Sequence, residues 1–189
     1  MTYYGGKDLA NAFRTVRGNT IKIAEEIPED QYGFKPAPEC RTVAATLAHV
    51  AMATDIQSYI QGNKVSDLAT VNWMDVFKDF GAEEAKPRTK AELIGKLKSE
   101  GDKFAAFLES LAESFLAESV KMTPGAPGPA TKSRFEMLLS AKEHEMHHRG
   151  QLMTMQRIIG QVPHLTRQMQ ERMAQMQAQA AAGAGQAAR

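Results

Sequence analysis

The sequence predicts an all-α protein, a four-helix bundle with a long crossover between its second and third helices. Four long stretches place apolar residues at alternating steps of three and four, the period of a helix with one buried face. Prolines and glycines cluster between those stretches, and no stretch alternates apolar with polar residues as a half-buried strand does.

The first helix runs from Lys7 to Ile27. Leu9, Phe13, Val16, Thr20, Ile23 and Ile27 form one stripe, and Pro28 stops it. Residues 29–41 contain Pro36 and Pro38 and read as an extended connection. Thr42 caps a second helix that ends near Gly62, with Ala45, His49, Met52, Ile56 and Tyr59 along its rows. Alanines 44, 45, 48, 51 and 53 make this helix narrow, leaving room for close packing or a cavity. Residues 63–87 form the crossover, with a short amphipathic helix over Trp73–Phe80, the kind of connection that bundles with non-adjacent helices need. Thr89-Lys90-Ala91-Glu92 is a capping box that opens the third helix, whose inward residues are Leu93, Leu97, Phe104, Leu108, Leu111 and Phe115. A Pro/Gly loop over 122–130 precedes the fourth helix, Ser133–Gly160, with a seam of Met137, Ala141, His144, His148, Gln151, Met155 and Ile158.

The bundle thus occupies residues 1–162, and a Gln/Ala/Met-rich extension occupies 163–189. Met169, Met173 and Met176 share a face, so residues 166–180 are expected to be a helix that docks on the body or on another subunit. The last ten residues are expected to be disordered. With 189 residues and 43% apolar content the chain can bury a real core, and a net charge of +1 with mixed signs gives no footprint for nucleic acid. The N-terminus lacks the apolar core of a signal peptide, no apolar run approaches membrane-spanning length, and a lone cysteine, Cys40, suits a reducing cytoplasm.

The chemistry lies in five histidines. His144 and His148, one turn apart, occupy seam positions where leucines would normally sit. A pair of hydrogen-bonded core histidines is one reading; two imidazoles at this spacing can also share a metal ion. His49, mid-helix among apolar neighbours, can supply a third ligand. Three neutral imidazoles would leave one position open, the pattern of catalytic rather than structural sites. His147 is turned toward the flank, and His164 reads as a solvent-exposed connector residue. Glu145 lies beside the seam as the nearest candidate base, or as a solvated carboxylate. Gln151 could orient a bound water or substrate, Arg149 is expected to pair with a carboxylate, and Gly150 is expected to admit a close backbone.

Two other metal signatures fail. His144-Glu145-Met146-His147-His148 matches H-E-x-x-H, but Gln151 and Thr154 stand where the extended protease motif needs glycine and histidine. Glu145 and His148 form one Glu-x-x-His, but a di-iron site needs a second, and Thr46 precedes His49 at the matching place.

The segments TLAHVAMAT and HEMHHRGQL together resemble the DinB/YfiT-like family of damage-inducible proteins, over about residues 7–160. The resemblance implies a four-helix bundle, a divalent metal ion on His49, His144 and His148, and a homodimer. Zinc is the abundant choice for three imidazoles, with nickel, iron and manganese open. Relatives of known activity include thiol S-transferases and a thiol-dependent isomerase. The expected function is therefore a metal-dependent S-transferase acting on a small-molecule substrate with a low-molecular-weight thiol. A metal-dependent hydrolase and a non-catalytic metal-binding stress protein are the alternatives. The catalytic residues are unassigned, and the Met-rich extension departs from the family pattern.

Overall fold

The computed structural model describes residues 4–187, and the side chains of residues 4–182. Four helices make the bundle: α1 (Gly6–Glu26), α2 (Val43–Gly62), α4 (Lys90–Glu109) and α6 (Arg134–Ile158). Between them lie α3 (Trp73–Glu84), a short α5 (Glu113–Leu116), and two strands, β1 (Ser119–Lys121) and β2 (Thr131–Ser133); α7 (His164–Ala187) follows the bundle. Helices α1 and α2 each pack against both α4 and α6, so α1 lies diagonal to α2 and α4 diagonal to α6, whereas α2 and α4, on either side of the long crossover, are adjacent and not separated as expected. The α1–α2 and α4–α6 connections must therefore cross an end of the bundle.

Local chemistry sets the helix ends. Thr42 accepts a hydrogen bond from the Ala45 amide, and Thr89 and Glu92 form the reciprocal capping box. Ser133 caps α6 through the Glu136 amide, and Gly160, at φ 84°, takes the left-handed position that ends it. Thr89→Ala is expected to lower stability by about 1 kcal/mol, read from denaturant midpoints.

The α1 stripe is buried as the periodicity requires, and Phe13 meets Phe104 edge-on at 5.0 Å. Two core clusters fill the bundle, one around Ile23, Leu47, Leu97 and Leu152, the other around Phe13, Phe104, Leu108 and Leu138. Arg134 is buried as well: its guanidinium donates to Gln61 and the Val65 carbonyl, its Nε to Glu118, and it lies 4.6 Å over the Phe115 ring.

Several expectations need correction. Strands exist: β1 and β2 pair antiparallel from Ser119↔Ser133 to Lys121↔Thr131. At three residues each, they are too short to show an alternating period. The third helix stops at Glu109, and Phe115 belongs to α5. The crossover helix continues beyond Phe80 to Glu84, which proves important for the site. Ile158 is exposed, because it lies in the final turn of α6. The expected C-terminal helix is present as α7, with Met169, Met173 and Met176 exposed on it. Of the ten residues expected to be disordered, those up to Ala187 are helical, and 188 and 189 lie outside the described residues.

His164 is buried rather than solvent-exposed, because the start of α7 folds back onto α1, where its Nε2 lies 3.3 Å from Asn19 Oδ1. Burial lowers its pKa; Glu26 opposes that shift, and Arg167, Lys22 and Arg149 reinforce it. The unfolded imidazole therefore takes its proton first, near a pH of about 6.5. The stability this neutral histidine contributes is complete above that pH and lost as pH falls toward the lower folded value. The difference in melting temperature between the wild type and His164→Gln is thus expected to narrow between pH of about 7.5 and about 5.

Candidate metal centre

Facing turns of α2 and α6 bring three imidazoles to one point. His49 Nε2 lies 3.1 Å from His144 Nε2, and His148 Nε2 lies 3.2 Å from that same atom. One ring nitrogen from each residue falls within 4.8 Å of the other two. The predicted trio therefore converges. An ion bonded tetrahedrally at about 2.1 Å holds its nitrogens about 3.4 Å apart, close to the two separations from His144 Nε2.

The opposite ring nitrogens show which atoms carry protons. His49 Nδ1 is 2.9 Å from Glu84 Oε2, and His148 Nδ1 is 2.8 Å from Gln151 Oε1. Both oxygens accept, so both Nδ1 atoms donate, and both Nε2 lone pairs turn inward. A proton on His144 Nε2 could satisfy only one of those lone pairs. A cation at the centre satisfies all three nitrogens, so the donor set fits a divalent ion. Burial, followed by the neighbouring histidines, pushes His144 down to about 4, and burial also lowers His148. Both rings are neutral at pH 7, the state in which imidazole coordinates.

Glu84 was not legible in the sequence. It is the last residue of α3, and Arg41 approaches its other oxygen at 3.4 Å. A carboxylate behind a ligating histidine fixes the ring and raises its basicity, and losing such a partner costs about 10–100-fold in metal affinity. Glu84→Gln is expected to weaken zinc binding within that range, measured by competition with a chromogenic chelator.

Other nominated residues take different places. Glu145 is buried, and Arg17 Nε reaches its two oxygens at 2.9 and 3.0 Å. It is thus neither solvated nor a base facing the histidines, because its side chain leaves α6 toward α1. Gln151 is exposed; its oxygen holds His148 and its Nε2 lies 3.1 Å from His147 Nε2, so it positions rings instead of facing a substrate. Gly150 admits no close neighbour, since a Cβ there would meet nothing within 4 Å. Arg149 forms no ion pair among the described residues.

A hollow of about 260 Å³ opens on His49 and His144, walled by Ala53, Ile56, Phe80 and Ala141, with Gln57 and Ser140 as its polar residues. Gln57 Nε2 donates to Ser140 Oγ at 3.3 Å, and the hydroxyl donates to the Met137 carbonyl. The small alanines of α2 and α6 leave this space.

The sequence model described as the DinB superfamily matches residues 12–152. The uncharacterized protein YjoA of Bacillus subtilis is 26% identical over 155 residues, which span 80% of this chain and 89% of YjoA. The crystal structure described as a DinB-like protein, YjoA, superposes with a TM-score of 0.61 at 23% identity, over 82% of this chain and 93% of that one. YfiT from the same organism, described as a probable metal-dependent hydrolase with an unusual four-helix bundle topology, gives 0.63 at 12% identity, over 85% and 91%. A Streptococcus pneumoniae protein gives 0.63 at 18% identity, over 84% and 94%.

Proposed function

We propose that this chain, which belongs to the DinB superfamily, holds a divalent metal ion on His49, His144 and His148 and acts as a metal-dependent hydrolase. The observation that carries the reading is the hollow beside His49 and His144, which leaves one side of the three-nitrogen cluster accessible to a small molecule. The description of YfiT as a probable metal-dependent hydrolase favours hydrolysis over transfer to a thiol. An ion bound there would supply Lewis-acid polarisation of a substrate oxygen and a lowered pKa for water.

The protein's own residues would arrange the rest. Glu84 and Gln151 hold the His49 and His148 rings with their lone pairs inward. Ile56, Phe80 and the alanines exclude bulk water from one side of the hollow. The Gln57 amide is the group best placed to donate to a substrate oxygen there. Zinc is the ion we favour, and thiol transfer on the same three histidines is the second reading, carried by the family resemblance. A homodimer in a reducing cytoplasm completes the proposal, with light scattering as the check on assembly.

The test uses zinc-loaded protein and a panel of chromogenic esters and amides, alongside a thiol–electrophile pair. Zinc-dependent cleavage, removed by a chelator and absent in His49→Ala, is the expected result. Zinc-dependent loss of the electrophile only when thiol is present would assign the transferase instead. Neither activity in protein shown to bind zinc would leave a metal-binding protein without catalysis.

A further inference from the structure

A larger cleft adjoins the hollow. Helices α2 and α3 enclose about 560 Å³, within the size range of small-molecule sites. Its floor is apolar, formed by Met52, Ile56, Val76 and Phe80. Ile56 and Phe80 also wall the hollow beside the histidines, and the Phe80 ring stands edge-on to His49 at 6.0 Å. Two side chains therefore separate the cleft from the candidate metal centre.

The polar part of the cleft is one-sided. Asp55, Asp75, Asp79 and Glu83 line it, and no lysine or arginine does. Glu83 is already neutralised, with Arg88, Lys86 and Lys96 all against its carboxylate. Asp75 accepts a hydrogen bond from Asn72 at 2.6 Å but has no cationic partner among the described residues. Asp55 and Asp79 form no ion pair among the described residues either. Burial raises the Asp55 pKa, Glu100 adds to the rise, and Lys96, Lys103 and Arg17 only partly offset it. An apolar surface edged by uncompensated carboxylates is complementary to a cation that carries a hydrocarbon body. Tyr59, at the rim, adds an aromatic face of the kind that attracts ammonium groups.

We propose that the α2–α3 cleft is the substrate subsite of the metal centre and selects a cationic amphiphile, an ester or amide whose ammonium group rests against Asp55 and Asp79 while its hydrocarbon portion crosses Ile56 and Phe80. As a substrate subsite it rests on the metal-dependent reading above. The cation's role is to hold the substrate; the bond cleaved lies at the far end, beside His49 and His144. Anionic substrates are excluded by the same carboxylates.

Hexylammonium, hexanoate and hexanol serve as probes, each titrated into the full-length zinc-loaded protein and into His148→Ala, with binding followed by calorimetry and by methyl chemical shifts. Hexylammonium is expected to bind most tightly and to perturb Ile56 and Val76. Asp55→Asn and Asp79→Asn are each expected to weaken it about fivefold, the strength of one partly exposed ion pair. Neither change should alter zinc affinity or the binding of hexanol. Hexanoate binding as tightly as hexylammonium, or unchanged hexylammonium binding when Asp55→Asn and Asp79→Asn are combined, overturns the proposal. The two readings fail differently: without a metal centre, hexylammonium still binds but zinc does not, whereas without a cation subsite zinc binds and the three probes are indistinguishable.

Discussion

Zinc supplied at a thousand times its dissociation constant is expected to stabilise the folded protein by about 4 kcal/mol, because the three-histidine cluster exists only in the folded state. For a chain of this size that raises the melting temperature by about 8–16 °C. Chelation should reverse the rise. His49→Ala, His144→Ala and His148→Ala should each remove most of the response, since each takes away one of three converging nitrogens. His164→Gln lowers the baseline, because that ring is buried against α1, but it should leave the zinc-induced rise intact. An unchanged melting temperature across zinc addition and chelation would mean that the three rings form only hydrogen bonds. The geometry argues against that outcome: with Nδ1 of His49 and His148 both engaged as donors, their inward lone pairs have one shared proton at most.

How much of this the sequence contained depended on the range of the interaction. Helices with one buried face were legible because periodicity is local, and Thr42 and Thr89 marked two of their starts for the same reason. The pair His144 and His148 was legible as one turn of a helix. His49 could be named as a possible third ligand from its apolar neighbours, but only the family likeness tied it to the pair, because nothing in the residues between it and His144 states that α2 and α6 face each other. Glu84 carried no signal: it sits on a crossover helix with no buried residue, and only the route of that helix past His49 makes it a partner. His164 misled because a residue after a proline in a connector is usually solvated, and the docking of α7 is a tertiary event. Glu145 misled through its place beside the seam, which read as nearness to the histidines or to solvent. The next residue along a helix turns about 100° away, and here that turn carries the carboxylate to Arg17 on α1. Arg17 interrupts the charge-free side of α1 between Phe13 and Thr20, and that interruption was the available clue to a buried ion pair.

That ion pair gives the second large effect. Arg17 is 3% exposed and Glu145 2%, so neither charge has water to fall back on. The guanidinium reaches all four bundle helices: from α1 its Nε donates to Glu145 on α6, one terminal nitrogen to the Leu97 carbonyl on α4, and the other to the Val50 carbonyl on α2. Gly101 makes room, since a Cβ there would stand 2.8 Å from Arg17 Cγ. Removing either partner strands a buried charge, which typically costs about 3–5 kcal/mol. Arg17→Ala and Glu145→Ala are therefore each expected to lose that much in denaturant unfolding. Arg17→Met with Glu145→Leu should recover most of it, because an apolar pair of similar volume removes both desolvation penalties. A double variant no more stable than either single one would mean that the carbonyl contacts to Leu97 and Val50, and not the charge pair, hold the helices. The consequence for the site is separable from stability. Val50 follows His49 and Glu145 follows His144, so this side chain ties together the two turns that present the histidines. The double variant is thus expected to fold yet to bind zinc more weakly than the wild type, measured by chelator competition on protein shown to be folded. Wild-type zinc affinity in that variant would assign Arg17 to stability alone.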